Sequence, residues 1–239
     1  INNQSQVRFP SFSLSENLLH RKKKKINKVV LVCSNQYIHH KSITKIKSLD
    51  DAIWYVRRLI SELRYGSSIA KSINHSDYQL HDKRLELITS FLKLDYLDLY
   101  GKKWDSYNNL PLKWKNSLLS VLGKPKNRSV SNKLITISKY RFCLCVENFE
   151  YPGYITEKII DSIVAQTVPI YFGAPDIHNH ISSDCYIDAR GFENIKSLND
   201  YIQNLDENHY QEIINAGQRY LNSDTGKLHS YEGFAANIF

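Results

Sequence analysis

With 239 residues, the chain can bury one substantial core, or hold one domain and part of a second. Its 42% hydrophobic and 23% charged content is that of an ordinary globular protein. It contains no run of about eighteen apolar residues and no basic start followed by an apolar core, so neither a membrane-spanning helix nor a signal peptide is expected.

Much of the net charge of +8 comes from Arg21, Lys22, Lys23, Lys24 and Lys25. The plain reading of this run is a solvated linker. A second reading is peripheral contact with an anionic membrane, to which clustered lysines each add about 1 kcal/mol. Nucleic acid as a partner is set aside, because interleaved aromatics, a recognition helix and zinc-ligand spacing are all missing. Residues 28–34 (KVVLVCS) read as a strand, and 48–63 as a helix with Ser48 as its N-cap. Residues 65–79 are polar and Ser-rich, hence a loop. A helix is expected over 83–94 and a strand over 96–100. Residues 104–128 read as irregular, broken by Pro111, Gly123 and Pro125, with Lys124, Lys126 and Arg128 facing either phosphate or water.

The stretch 140–176 carries the most information. Residues 142–146 (FCLCV) form a continuous apolar run, as in a strand covered on both faces. Pro152 and Gly153 mark a loop. Apolar residues then recur at Ile155, Ile159, Ile160, Ile163 and Val164, a helical face that starts near residues 154–156. Residues 168–172 (VPIYF) supply the next strand. Helices follow at 197–205 and 207–221. Alternating strands and helices specify a parallel sheet with helices on both faces.

The loop and first helical turn concentrate Glu147, Asn148, Tyr154, Thr156, Glu157 and Lys158. This is the layout in which α/β proteins hold a phosphorylated ligand at the carboxyl ends of their strands. Glu157 suits the positive end of the helix dipole, whereas Lys158 opposes it. Either an anion sits above Lys158, or the lysine is a solvated residue paired with Glu157 or Asp161. The residues alone leave both open.

Cys33, Cys143, Cys145 and Cys185 lie in or beside expected strands and read as reduced, structural thiols. His39-His40 and His178-x-His180 lack companion ligands at metal spacing and read as loop histidines.

The run E-N-x(5)-Y-I-T-E-K-I-I-D, followed by an apolar helix and V-P-I-Y-F-G-A-P, closely resembles the α1,3/α1,4-fucosyltransferases of glycosyltransferase family 10. The segments RLELITSFL…DLYGKKW (84–104) and CYIDARGF (185–192) extend the resemblance on either side. The resemblance implies a Rossmann-like parallel sheet forming the C-terminal half of a GT-B glycosyltransferase. Residues 28–239 would then be the GDP-fucose-binding domain, and 1–27 a linker or a remnant of the acceptor-binding domain. Carried over by position, Asn148 and Tyr154 line the loop over the nucleotide, Glu157 binds the ribose hydroxyls, and Lys158 meets the diphosphate. The family's phosphate-binding arginine falls on Arg84, with Lys41 as the second choice. Glu147 ties the loop to nearby backbone N–H groups.

The implied activity is inverting transfer of fucose from GDP-fucose to a glycan hydroxyl, on GlcNAc or glucose, in an oligosaccharide or glycolipid acceptor. The alternatives are a GT-B transferase using another nucleotide sugar and a non-catalytic nucleotide- or glycan-binding relative. With no D-x-D motif, a divalent metal is not required by the sequence, and no cofactor beyond the donor is expected. Without a methionine, and beginning at Ile1, the chain reads as part of a longer protein. Glu16 is the only acid before residue 28 and reads as a turn or cap residue, so the catalytic base is expected outside this sequence. The expected location is cytoplasmic, with or without membrane association, as in bacterial relatives, or the Golgi lumen for a eukaryotic relative with a further N-terminal anchor.

Overall fold

The computed structural model describes residues 24–35 and 79–236. The helix expected at 48–63, the loop at 65–78, Glu16, residues 21–23 of the basic run, His39, His40 and Lys41 lie outside the described residues. Among the described residues, no helix is long and apolar enough to cross a membrane.

Five parallel strands form one sheet in the order β2-β1-β3-β4-β5. They are β1 (Ile26–Val32), β2 (Leu97–Tyr100), β3 (Tyr140–Val146), β4 (Val168–Phe172) and β5 (Ile187–Asp188). Side chains alternate between the two faces. Val29, Leu31, Phe142, Leu144 and Val146 pack with Leu85, Ile88 and Phe91 of helix α1 (His81–Lys93) on one face. Val30, Cys143 and Cys145 pack with Ile159, Ile160 and Ile163 of helix α4 (Glu157–Val164) on the other. Both faces are therefore dry, which is why the strands read as continuous apolar runs. From β1 the chain reaches β2 on one side and β3 on the other, so their loops diverge at the carboxyl ends of β1 and β3. In open α/β sheets this divergence is where ligands bind.

Residues 104–128 are not irregular throughout. Helix α2 (Leu112–Leu122) lies within them, with Pro111 as N-cap and Gly123, at φ 68°, as C-cap. Both residues are strong breakers, but each bounds the helix instead of interrupting it. Leu118 is buried, and Trp114 and Leu122 pack on the core. A short helix α3 (Lys133–Ile137) precedes β3, N-capped by Asn132. After β5 come α5 (Ile195–Gln203), α6 (Glu207–Asn222), α7 (Asp224–Lys227) and α8 (Tyr231–Ala236). The segment 185–192 supplies only two strand residues. The Asp188 carboxylate accepts from Arg190 N and Nε, at 3.0 and 2.9 Å, and turns the chain out of the sheet.

At the other end of the sheet β1 begins at Ile26, two residues before the expected domain boundary. Lys25 is not a solvated linker residue. Its ammonium donates to the carbonyls of Ser138, Tyr140 and Ala165 and to Thr167 Oγ1, at 2.9 to 3.3 Å. Ser138 and Ala165 are the C-caps of α3 and α4, so one cation closes the negative ends of two helices.

Candidate functional site

The carboxyl end of β3 delivers Glu147 into the interior, where it is 0% exposed. An unpaired carboxylate there would be prohibitively costly, and this one is fully engaged. Its Oε1 accepts from Thr156 N at 2.8 Å, and its Oε2 from Thr156 Oγ1 at 2.7 Å and from Lys158 Nζ at 2.8 Å. Lys158 also donates to Thr156 Oγ1 at 2.7 Å. Thr156 is the N-cap of α4, but its hydroxyl serves Glu147 and not the helix. Glu147 therefore ties the loop to the first turn of α4, as the sequence suggested.

Neither partner foreseen for Lys158 is its partner here: Glu147 takes the ammonium. The lysine side chain stays 20% exposed. An ammonium has three donors, and two are used among the described residues. One N–H remains for a ligand at the positive end of α4.

Arg84 comes from the first turn of α1 and is 7% exposed. Its Nη2 donates to Val146 O at 3.3 Å, Glu147 O at 2.9 Å and Asn148 Oδ1 at 2.6 Å. Its Nε is buried without a hydrogen-bond partner among the described residues. Glu147 is thus gripped twice, through its carbonyl by Arg84 and through its carboxylate by Lys158. These two expected phosphate ligands converge on the end of β3. Cys33, at the carboxyl end of β1, reports the same convergence. Burial pushes its thiol up, and the nearby Arg84, Lys158 and Lys133 offset this only in part.

Asn148 anchors the loop. Its backbone carbonyl accepts from Leu80 N at 2.9 Å, beside the helix that carries Arg84. Tyr154 packs edge-on against Phe149, with ring centroids 5.6 Å apart. Farther along, Gly153 N donates to Asp176 Oδ1 at 2.8 Å, joining this loop to the one after β4. Gly173 is required by space: a Cβ there would lie 2.5 Å from both Glu147 Cγ and Tyr171 Oη.

Glu157 stands in the first turn of α4 with its side chain 43% exposed. Burial pushes its carboxyl up, but Lys158, Lys133, its own backbone N–H and the Thr156 hydroxyl outweigh this and hold it below the usual glutamate value. Lys133 was not anticipated. Its Nζ lies 2.6 Å from Asp161 Oδ2 and 3.5 Å from Glu157 Oε1. The available hint was the acidic pair Glu157 and Asp161 at i, i+4, which calls for a cation across the helix face.

A cleft of about 660 Å³ lies between α1 and residues 189–196, with Lys83, Phe172 and Arg190 in its lining. Arg84, Asn148, Tyr154, Glu157 and Lys158 do not line it. Among the described residues, no group of three His, Cys, Asp or Glu side chains could hold a metal ion. The Sγ atoms of Cys143 and Cys145 lie 3.9 Å apart in the core, and the described cysteines are free thiols.

The family model "Glycosyltransferase family 10 (fucosyltransferase) C-term" matches residues 69–215. The chain is 32% identical over 135 residues to an α-(1,3)-fucosyltransferase FucT of Helicobacter pylori, covering 55% of this chain and 27% of that protein. To the putative fucosyltransferase R654 of Acanthamoeba polyphaga mimivirus it is 31% identical over 213 residues, covering 82% of this chain and 33% of the other. Among solved structures, one α1,3-fucosyltransferase aligns with a TM-score of 0.49 at 21% identity, over 88% of this chain and 44% of that one. The chain therefore spans about a third or less of the length of these two curated relatives.

Proposed function

Because this chain belongs to glycosyltransferase family 10, the fucosyltransferases, we propose that it is the donor-binding part of an inverting fucosyltransferase that uses GDP-fucose. The observation that carries this reading is the double grip on Glu147: Arg84 and Lys158 are brought to one strand end, and Lys158 keeps a free donor at the N-terminus of α4. In this reading the spare N–H of Lys158 meets the diphosphate and Glu157 accepts from the ribose hydroxyls. Arg84 sets the loop and adds positive potential from below.

Transfer follows from that placement. A base outside the described residues takes the proton of a sugar hydroxyl, on GlcNAc or glucose. The oxygen attacks the anomeric carbon of fucose from the face opposite GDP, and the bond to the β-phosphate oxygen breaks. The β-linked donor becomes an α-fucoside. Charge grows on the departing diphosphate, where a pre-positioned cation is worth more than it is against the bound donor.

Calorimetric titration of the chain with GDP-fucose, GDP-mannose and UDP-sugars tests the reading. Selective binding of GDP-fucose and GDP is expected. Equal binding of UDP-sugars points to a different nucleotide-sugar transferase. Binding without transfer when the chain is joined to an acceptor-binding domain points to a non-catalytic relative.

A further inference from the structure

We propose that Lys133 is a positioning residue that holds Glu157 ionised and oriented for the ribose hydroxyls of the donor, an inference that rests on the donor-binding reading above. Glu157 and Asp161 are four residues apart and share one face of α4, where two like charges repel. Asp161 is only 8% exposed, which sharpens the cost. Lys133 reaches both from another element, at 2.6 Å to Asp161 and 3.5 Å to Glu157.

Nothing within α3 asks for a cation at that position. Lys133 is its first residue, where the unpaired N–H groups disfavour positive charge. Asn132 Oδ1, accepting from Ile135 N at 2.9 Å, fixes where that first turn begins. The turn therefore presents an ammonium to the α4 carboxylates at a local electrostatic cost. The closer contact neutralises Asp161. The looser one restrains Glu157 while leaving lone pairs for a ligand.

Among the described residues, the charged and titratable groups facing Glu157 are Lys133 from α3, Lys158 and Asp161 from α4, and Tyr154 from the loop. Lys158 also draws the Glu157 carboxyl down, while its own short ion pair is with Glu147. Removing Lys133 takes away one of the two cations that lower the Glu157 carboxyl, so the carboxyl rises.

The test is calorimetric titration with GDP and with 2′,3′-dideoxy-GDP, which lacks both ribose hydroxyls. Lys133→Met is expected to weaken GDP about five-fold or more near neutral pH, and further as pH falls, with little change for the dideoxy nucleotide. Lys133→Arg should restore wild-type behaviour, and Lys133→Gln should repeat the Met result with a polar side chain. Equal losses on both nucleotides overturn the proposal, because they mark a purely structural lysine. Should neither the Met nor the Gln variant fold, the wild type decides: its preference for GDP over the dideoxy form should persist down to about pH 4.5, where an unshifted glutamate is roughly half protonated, and its loss by then overturns the proposal. Absence of GDP binding by the wild type fails the donor reading itself, and this inference with it.

Discussion

Lys25 and Lys158 occupy opposite ends of the same sheet, and their surroundings differ in kind. Among the described residues, Lys25, at the amino ends of the strands, has only oxygen dipoles for hydrogen-bond partners: three carbonyls and a hydroxyl, two of the carbonyls closing helices. That is the favourable end of a helix for a cation. The fold alone accounts for it. Lys158 lies at the carboxyl ends, in the first turn of α4, where the dipole opposes it. It is retained there by a fully buried carboxylate, Glu147, whose burial is itself expensive. A cation kept against its helix by a buried acid is not explained by stability. Of the two lysines, the one that its own helix end opposes is the one expected to bind the ligand.

The sharpest way to break this contrast is to remove Lys158. Lys158→Ala strands Glu147 in the interior, and chemical denaturation should show a loss of about 3 kcal/mol, as for buried pairs deprived of one partner. Adding Glu147→Gln should recover much of it; a neutral Lys158→Ala would mean the pair does no structural work. Gly173→Ala comes next. The new methyl must displace Glu147 or Tyr171, for an expected cost of about 1–3 kcal/mol in the same assay.

Lys25→Met should cost about 1–2 kcal/mol and leave GDP affinity unchanged. Its pH signature is distinctive. Burial pulls the ammonium down to about 8 from 10.5. The unfolded chain therefore holds this proton more tightly than the native one. The cost is fully present below about pH 8 and is relieved as pH rises towards 10.5, so wild-type stability should gain on Lys25→Met across that window. Equal slopes in the two proteins would contradict the burial. Asp176→Ala, which releases Gly153 N–H at a half-exposed site, should change stability by no more than about 1 kcal/mol.

How much of this was legible in the sequence follows from distance along the chain. The β3–α4–β4 unit was, because a two-faced apolar run, a Pro-Gly loop and a 3.6-residue period are all local. Helix α4 starts at Glu157, just after the expected start at residues 154–156. Helix α2 was missed because Pro111 and Gly123 break helices in general and cap this one. The partner of Lys158 lies only eleven residues away, yet the choice of Glu147 over Glu157 depends on the strand end turning inward. The acceptors of Lys25 are more than a hundred residues distant, and a run of basic residues gives no hint that its last member is drawn into the fold. Lys133 was invisible for the same reason: only the acidic spacing on α4 hinted at a cation, and nothing named it.

The central claim is that Lys158 is a diphosphate ligand, and one calorimetric comparison tests it most directly. The wild type and the Glu147→Gln/Lys158→Met double variant, in which no buried charge is stranded, are titrated with GDP and with guanosine. The double variant should bind GDP about ten-fold more weakly or worse, the loss of a charge-assisted contact worth about 1.5–3 kcal/mol, while guanosine affinity barely moves. Unchanged GDP affinity in a folded double variant would contradict the claim and leave Lys158 as a partner of Glu147 alone.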